Sequence, residues 1–246
     1  ERINPGEEGK SINSVAQIVG CDYREVGSFL AELFGKITDE GSFYVGRIEV
    51  AEASKMVENV QRDIDIALAN ELAIVLPRLG IDVEDVLSAA STKWNFHRHT
   101  PGIGVGGHCI PVDPYYYMNI AKEAGFPSSL SASAREINNG MPEIAANEIF
   151  HLMGGQSNSK VLVLGYAYKA EVGDVRETPV RELTRHLEGN GCEVLVWDPL
   201  VKNDELPPWV NGVDDPYDCH LLDAVVLATA HREILDIDWK RIMEAC

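Results

Sequence analysis

The 246-residue chain contains no long uninterrupted hydrophobic run, whereas a membrane-spanning helix needs roughly 20 apolar residues in a row. It is also poor in positive charge, with 21 lysines and arginines against 39 aspartates and glutamates and a formal net charge of −18. A negative field of this size repels phosphates, so we expect neither a nucleic-acid partner nor an anionic membrane partner. An acidic surface can also serve solubility alone, and the charge by itself indicates no particular activity.

Paired cysteines are missing as well. The five cysteines are scattered singly, without the close spacing of a metal site, and no basic segment followed by an apolar one opens the chain. This pattern predicts a cytoplasmic protein without a bound metal. The apolar fraction of 45% and the charged fraction of 24% are typical of a globular protein, and the length is sufficient for two domains.

The apolar periodicity predicts helices in the first half of the chain. Helices are expected at SVAQIVG and EVGSFLAELFGKI, a strand at GSFYVGRIEV, and one long helix from Val50 to Leu79 that Gly80 ends. A helix this long, apolar on more than one side, is expected to span two domains or to form a subunit interface. Three more helical patterns follow in IDVEDVLSAAS, DPYYYMNIAKEAGF and SASAREINNGMPEIAANEIFHLM.

The pattern changes after a polar, glycine-containing segment from His151 to Lys160, which is the predicted linker. KVLVLGYAY, CEVLVWDP and DAVVLAT have the composition of buried strands, and TPVRELTRHLEGNG that of an amphipathic helix. Strands and helices that alternate at this spacing form parallel sheets with right-handed crossovers. The predicted fold class is therefore α/β, with an all-helical central part followed by a Rossmann-like part.

The segment GVGGHCIPVDP, Gly104 to Pro114, holds the first candidate site. Its glycines permit positive φ and let the backbone approach a ligand closely. Cys109 comes just before a predicted helix, whose N-terminus would stabilise a thiolate, and Asp113 can orient a water molecule or take up its proton. A lone cysteine is more often a small buried residue, and an irregular turn explains Gly106 and Gly107 equally well.

The long helix supplies a second candidate. Lys55 and Asn59 are four residues apart and therefore lie on one helical face, with Glu52 one turn before Lys55. A lysine and an amide on one face can stabilise a developing oxyanion. A solvated charge pair is the simpler alternative.

The third candidate is GYAYKAEVGDVRETP, which follows a strand and precedes a helix, the place where α/β proteins bind ligands. It brings Lys169 and Arg176 into a chain that has few cations, and the guanidinium fork suits phosphate oxygens. Pairing of Arg176 with Asp174 or Glu177 at the surface is an equally good reading.

Four segments, in this order, resemble the UDP-glucose/GDP-mannose dehydrogenase family, whose members oxidise the C6 alcohol of a nucleotide sugar to a carboxylate with two NAD⁺. They are ERINPG; AEASKMVENVQRDIDIALANE; TKWNF with PGIGVGGHCIPVDPYYY; and LGYAYKAEVGDVRETP with VWDP. Together they run through nearly the whole chain.

The resemblance implies three parts. Residues 1–48 would be a remnant of the NAD-binding Rossmann domain, 49–152 a central helical dimerisation and catalytic domain, and 158–246 a truncated UDP-sugar-binding α/β domain. Because no GxGxxG fingerprint precedes ERINPG, the chain is expected to be a fragment that neither binds NAD normally nor turns over.

The resemblance also implies roles for single residues. Cys109 matches the nucleophile that forms a thiohemiacetal and then a thioester, Lys55 and Asn59 the pair that steadies the oxygen at C6, Asp113 the residue that places water, and Glu1 a glutamate for thioester hydrolysis. The residues implied for the nucleotide sugar are Thr100, Gly102, Gly104, Val105, Gly106, Tyr168, Lys169 and Arg98. Those implied for NAD are Arg176, Cys109 and Ile110. A homodimer through the long helix is implied too, with Arg98 near the neighbouring subunit.

The substrate class follows from two departures from the glucose enzymes. His108 and Val112 stand where a small residue and a lysine are usual there, which resembles the branch acting on UDP-N-acetylhexosamines. UDP-N-acetyl-D-mannosamine, oxidised to a uronic acid for polysaccharide assembly, is the favoured substrate; UDP-N-acetylglucosamine, its galacto epimer and UDP-glucose are alternatives. A non-catalytic dimerisation and nucleotide-sugar-binding module also remains open, as does a decarboxylating hydroxyacid dehydrogenase, which would release CO₂.

Overall fold

The computed structural model describes residues 11–244, so Glu1 lies outside the described residues. The chain forms two compact units, Glu1–Gln61 and Arg62–Cys246. The boundary between the two units falls inside the long helix. The domain limits expected at residues 48, 152 and 158 stay predictions.

The first unit contains two short parallel strands joined by a helix. Strand β1 is Gln17–Val19, helix α1 is Arg24–Gly35 and strand β2 is Ser42–Tyr44. The helix packs against both strands, and Gly27 leaves room for an aromatic ring, since a Cβ added there would lie 2.2 Å from Cε2 of Tyr44. The helix predicted at EVGSFLAELFGKI is confirmed. Of the strand predicted at GSFYVGRIEV, Ser42–Tyr44 form β2, whereas the last residues, from Ile48, already belong to the long helix.

The helix predicted at SVAQIVG is wrong. Ile18 and Val19 lie in β1 and pair in parallel register with Phe43 and Tyr44 of β2. β-branched side chains favour extended backbone, and here a partner strand more than twenty residues later in the chain supplies the hydrogen bonds.

The long helix α2 runs from Ile48 to Arg78. It ends where the sequence predicts, because Gly80 adopts a positive φ of +72° and donates its N–H to the carbonyl oxygen of Pro77 at 2.9 Å. Helix α3, Val83–Ala90, follows, and the carboxylate of Asp82 caps its first turn by accepting two backbone N–H groups.

Two further helices complete the central part. Helix α4 is Asp113–Glu123, and helix α5, Ser129–Leu152, packs against it. Ser128 caps α5 by accepting the N–H of Ser131 at 3.4 Å. The three helices predicted between the long helix and the linker are therefore confirmed. Among the helices formed by residues 11–244, none is both long and apolar enough to cross a membrane.

A four-stranded parallel sheet follows the linker. Its strands are β3 (Lys160–Leu164), β4 (Glu193–Trp197), β5 (Asn211–Gly212) and β6 (Ala224–Leu227), in the order β5-β4-β3-β6. Helix α6, Pro179–Gly189, connects β3 to β4, and the short helices α7 (Arg232–Leu235) and α8 (Trp239–Met243) come last. The predicted parallel α/β arrangement is confirmed.

Both faces of this sheet are covered. Val161 and Val163 of β3 belong to a cluster that includes Leu183 of α6 and Ala146 of α5. Leu162 and the other alternate residues of β3 and β4 belong to a second cluster on the opposite face. Because all four strands are parallel, their carboxyl ends meet at one edge, and the segment that follows β3 lies there.

Candidate active site

The glycine turn before the cysteine packs directly against the segment that follows β3. A Cβ added at Gly106 would lie 2.7 Å from Cβ of Tyr168, 2.8 Å from the carbonyl oxygen of Glu177 and 2.9 Å from Cδ of Pro179. At Gly107, whose φ is +89°, an added Cβ would lie 3.0 Å from Cε2 of Tyr168. Both positions therefore require glycine, because Tyr168 lies too close for a side chain. This contact brings together two candidate segments that are about 60 residues apart in the sequence.

The same turn is held on α5 from its other side. Gly104 has a φ of +124°, and a Cβ there would lie 2.9 Å from the carbonyl oxygen of Asn138. Val105 is half-buried and Thr100 is exposed. Two of the residues implied for the sugar nucleotide, Gly104 and Gly106, therefore lie where a side chain would collide with neighbouring atoms.

Cys109 lies in the turn that leads into α4. Its side chain is exposed, and its carbonyl oxygen accepts the N–H groups of Val112 at 3.0 Å and Asp113 at 2.9 Å. Asp113 is the first residue of α4 and is half-buried, as is Ile110. Cys109 therefore comes just before a helix, as the sequence predicts, whereas the stabilisation of its thiolate and its role as a nucleophile stay predictions.

Charged groups surround the ring of Tyr168. Burial raises the pKa of the Tyr168 phenol, the carboxylate of Asp174 adds to this rise, the Arg176 guanidinium opposes it, and Cys109 makes a smaller contribution. Hydrogen bonds from Arg176 lower the pKa of Asp174, and His108 acts in the same direction. Cys109, Asp174 and Arg176 therefore lie within electrostatic range of the Tyr168 phenol, and His108 lies within that range of Asp174.

Arg176 forms the local ion pair that the sequence offered as an alternative to ligand binding. Its Nε lies 3.0 Å from both carboxylate oxygens of Asp174, and its Nη2 lies 2.6 Å from Oδ2. These hydrogen bonds raise the pKa of Arg176. The guanidinium side chain is nevertheless 64% exposed, and its contact with a cofactor pyrophosphate stays a prediction.

A buried polar network behind the turn was not anticipated. Nη1 of Arg135 and Nδ2 of Asn138 lie 2.7 Å and 2.8 Å from Oδ1 of Asp63, and Asn70 donates to the amide oxygen of Asn138 at 2.9 Å. Asn70 in turn accepts the backbone N–H of Gly102 at 2.9 Å. The network thereby connects α2, α5 and the loop that leads to Cys109.

Burial sets the electrostatics of this network. It raises the pKa of Asp63, and the Arg135 guanidinium and the Asn138 amide only partly offset the rise. The side chains of Arg135 and Asp63 are 6% and 1% exposed. The sequence did carry one signal, since Asp63 and Asn70 are seven residues apart and therefore lie on one face of the helix.

Comparison with known proteins decides the family. Residues 49–140 match the central domain of the UDP-glucose/GDP-mannose dehydrogenase family, and residues 162–246 match the UDP binding domain of the same family. The chain belongs to this family. The resemblance of its sequence segments is confirmed, and so is the order of a helical central part and an α/β part.

Individual relatives of this dehydrogenase-family chain cover it almost completely. A UDP-N-acetyl-D-glucosamine 6-dehydrogenase of Pseudomonas aeruginosa is 34% identical over 98% of the chain and 58% of its own length. A UDP-N-acetyl-D-mannosamine dehydrogenase of Pyrococcus horikoshii is 35% identical over 98% of the chain and 56% of its own length. The solved UDP-D-ManNAc dehydrogenase structure from Pyrococcus horikoshii superposes with a TM-score of 0.86 at 31% identity, over 100% of the chain and 57% of that structure. The chain thus spans a little more than half the length of these relatives.

The remaining residues implied by this family lie on α2 and beside α3. Arg98 is bound to α3, where its Nη1 lies 3.2 Å from Oγ of Ser88 and its Nη2 contacts the carboxylate of Glu84. Lys55 is half-buried and Asn59 is buried, one turn apart on the part of α2 that belongs to the first unit. Their predicted meeting with Cys109 stays a prediction.

A cavity of about 410 Å³ opens between the cysteine loop, α5 and the start of α6. Val105 and Pro111 line it from the loop, Arg135 and Asn138 from α5, and Arg181 from α6. Within residues 11–244, no three His, Cys, Asp or Glu side chains come together as a possible metal site.

Proposed function

We propose that this chain is part of an NAD-dependent dehydrogenase that oxidises the C6 alcohol of a UDP-N-acetylhexosamine to a carboxylate. The observation that carries the proposal is the packing of the turn before Cys109 against Tyr168. This contact joins the candidate thiol to the segment that follows β3 in a domain of the UDP binding type. A thiol beside a nucleotide-sugar site is the arrangement that a covalent two-step oxidation requires.

We infer that UDP-N-acetyl-D-mannosamine is the substrate, with UDP-N-acetylglucosamine as the first alternative and UDP-glucose as the second. The names of the relatives divide between the gluco and manno epimers, so they support the N-acetylhexosamine class more strongly than either sugar. His108, which the resemblance sets apart from the glucose enzymes, acts electrostatically on Asp174 of the segment that follows β3.

In the proposed mechanism, Cys109 bridges two oxidations. Loss of a hydride from C6 and of the hydroxyl proton gives an aldehyde, to which the thiolate adds, forming a C–S bond and a thiohemiacetal. A second loss of hydride and proton gives a thioester, and water then breaks the C–S bond to release the carboxylate and restore the thiol. When bound, NAD⁺ would supply the hydride acceptor for both steps. Asp113, at the start of α4, would place the attacking water and take up its proton.

Two polar groups on α2 would act on the oxygen at C6. The Lys55 ammonium and the Asn59 amide would stabilise the negative charge that develops there as the thiolate adds. Tyr168 and Lys169, after β3, would meet the uridine and phosphate end of the substrate.

Arg176 fits a role toward NAD. Its hydrogen bonds to Asp174 use Nε and Nη2, which leaves Nη1 for a phosphate oxygen, and its side chain is exposed. Asp174 would hold the Arg176 guanidinium in one orientation. The Asp174 carboxylate would also neutralise part of the guanidinium charge before the pyrophosphate binds.

The second half of α2 supports the proposed homodimer. Leu68 and Val75 are 54% and 42% exposed, and their spacing of seven residues places them on one side of the helix. Val75→Lys would place a charge in an apolar interface, and we expect it to shift the chain from dimer to monomer in sedimentation experiments. A chain that is already monomeric before the substitution would contradict the dimer.

The decisive experiment replaces the thiol. In the complete protein, Cys109→Ser should lower NAD⁺ reduction with UDP-N-acetyl-D-mannosamine by more than about a hundredfold, while the UDP-sugar still binds. Cys21→Ser, at a half-buried thiol in the first unit, is the control and should leave the rate unchanged.

A near-normal rate for Cys109→Ser would refute the nucleophile. If the unsubstituted protein binds UDP but reduces no NAD⁺ with any UDP-sugar, the chain belongs to a non-catalytic binding module. Assaying the manno, gluco and galacto UDP-N-acetylhexosamines and UDP-glucose side by side identifies the epimer.

A further inference from the structure

The segment Gly165–Glu171 leaves the carboxyl end of β3 and carries Tyr168 and Lys169. One buried side-chain pair, Asp198 and His231, contacts this segment on both sides of these two residues. The aspartate belongs to the VWDP motif, and the histidine lies between β6 and α7. Neither residue has a part in the proposed chemistry.

Asp198 holds the first half of the segment. Its Oδ2 accepts the backbone N–H groups of Tyr166 at 2.6 Å and Ala167 at 2.9 Å, and its Oδ1 accepts that of Leu200 at 2.8 Å. Its side chain is 1% exposed. A buried carboxylate that accepts three backbone donors fixes the backbone around it.

His231 holds the other end. Its Nδ1 accepts the backbone N–H of Glu171 at 2.9 Å, and its Nε2 lies 3.2 Å from Oδ2 of Asp198. Because Nδ1 accepts a hydrogen bond, the ring proton is on Nε2, which donates to the carboxylate. The imidazole thus needs both nitrogens, one as an acceptor and one as a donor.

Contacts from the same edge of the sheet reinforce both ends. Thr229 donates its hydroxyl to the carbonyl oxygen of Ala167 at 2.6 Å, and the Glu171 carboxylate accepts the N–H of Arg232 at 2.7 Å. Gly165 has a φ of +88°, and a Cβ there would lie 2.4 Å from the carbonyl oxygen of Thr229. Tyr168, Lys169 and the alanine after them are therefore a short span between two fixed points.

We propose that Asp198 and His231 are positioning residues for the nucleotide sugar. By fixing the backbone at Ala167 and at Glu171, they present Tyr168 and Lys169 in the conformation that binds the UDP end. The segment is then already ordered before binding, which lowers the conformational-entropy cost of binding. The inference rests on the proposed function, which assigns Tyr168 and Lys169 to that end.

Two matched amides test which nitrogen matters. His231→Asn places an acceptor near the position of Nδ1 and keeps the bond from Glu171, whereas His231→Gln places its amide near Nε2 and removes that bond. Both variants are uncharged. Thr184→Val is the control, since this buried residue accepts the Trp209 indole N–H at 3.3 Å in the same domain and is remote in its contacts from the segment.

UDP binding to the 246-residue chain is measured by calorimetry, with melting temperatures in parallel. His231→Gln should bind UDP about tenfold more weakly, which corresponds to the loss of one hydrogen bond, and His231→Asn should stay within about threefold of the unsubstituted chain. Thr184→Val should lower the melting temperature and leave the UDP affinity within about twofold.

Amide hydrogen exchange gives a readout that does not depend on the ligand. The N–H of Glu171 should exchange about tenfold faster in His231→Gln than in His231→Asn. Equal exchange in the two variants, or equal UDP affinity for His231→Gln and the unsubstituted chain, would overturn the inference. If His231→Gln does not fold, Asp198→Asn replaces it in both measurements, with the same expected losses at Tyr166 and Ala167. If the unsubstituted chain binds no UDP, the proposed UDP site is refuted. Faster exchange in His231→Gln would then still show that His231 fixes the backbone at Glu171.

Discussion

Arg135→Met tests the buried ion pair that joins α5 to α2. The methionine keeps much of the apolar length of the arginine and removes its charge, which leaves the Asp63 carboxylate buried with the Asn138 amide as its side-chain donor. Breaking one side of a buried ion pair costs about 3–5 kcal/mol of unfolding free energy. Because Asn138 remains, we expect a loss near the lower end, about 3 kcal/mol.

The loss should depend on pH. The pKa of Asp63 is already raised in the folded chain by burial, so its ionisation weakens the fold: stability is complete below the ordinary aspartate pKa and falls as pH rises through the folded value. Removing Arg135 raises that folded pKa further. The difference between variant and unsubstituted chain should therefore be larger at about pH 8 than at about pH 5.

Urea denaturation followed by circular dichroism measures both effects. Asp63→Asn combined with Arg135→Met should recover part of the loss, because no charge is then buried and Asn138 keeps its acceptor. Arg185→Met, at an arginine stacked over Trp209, is the control and should cost less than about 1 kcal/mol. A loss in Arg135→Met below about 1 kcal/mol, or one that is the same at both pH values, would refute this account.

Three other substitutions test the turn, the core and a helix cap. Gly106→Ala would bring a Cβ within 2.7 Å of Tyr168, so UDP affinity measured by calorimetry should fall by about tenfold. Gly140→Ala is the control. A Cβ added there meets nothing within 4 Å, so this variant should bind UDP normally. Leu183→Ala removes a fully buried side chain and should lower the unfolding free energy by about 2–5 kcal/mol in urea denaturation, and a loss below about 1 kcal/mol would contradict its place in the core. Asp82→Ala removes the acceptor of two backbone N–H groups at the start of α3 and should cost about 1 kcal/mol, whereas an unchanged denaturation midpoint would mean that the cap contributes nothing.

Local patterns predicted most of the fold. The long helix, its end at Gly80 and the parallel strands follow from periodicity and glycine positions, which act over a few residues. Strand β1 was missed because three residues carry too little pattern, and its partner lies elsewhere in the chain. The position of Cys109 before α4 was predictable for the same reason as the helices: the aspartate and proline that start the helix follow it by four and five residues.

Pairs that are distant in the sequence were not predictable. Arg135 and Asp63 are separated by 72 positions, and either one alone resembles a solvated surface charge. Asp198 stood in a recognised segment without a role, because its partner His231 is 33 positions away. The closeness of Gly106 to Tyr168 likewise depends on tertiary packing, although the density of glycines did indicate a close approach.

The crowding around the glycine turn limits which residues of the proposed sugar site can be substituted. Methyl groups added at positions 104, 106 or 107 would collide with backbone or with an aromatic ring, so those three sites are closed to variation. His108 and Val112 lie on either side of Cys109 in the sequence and already carry side chains. If the proposed site is correct, a change of preference from one N-acetylhexosamine to another requires substitutions at these positions or on the facing segments, while the backbone of the turn keeps its conformation.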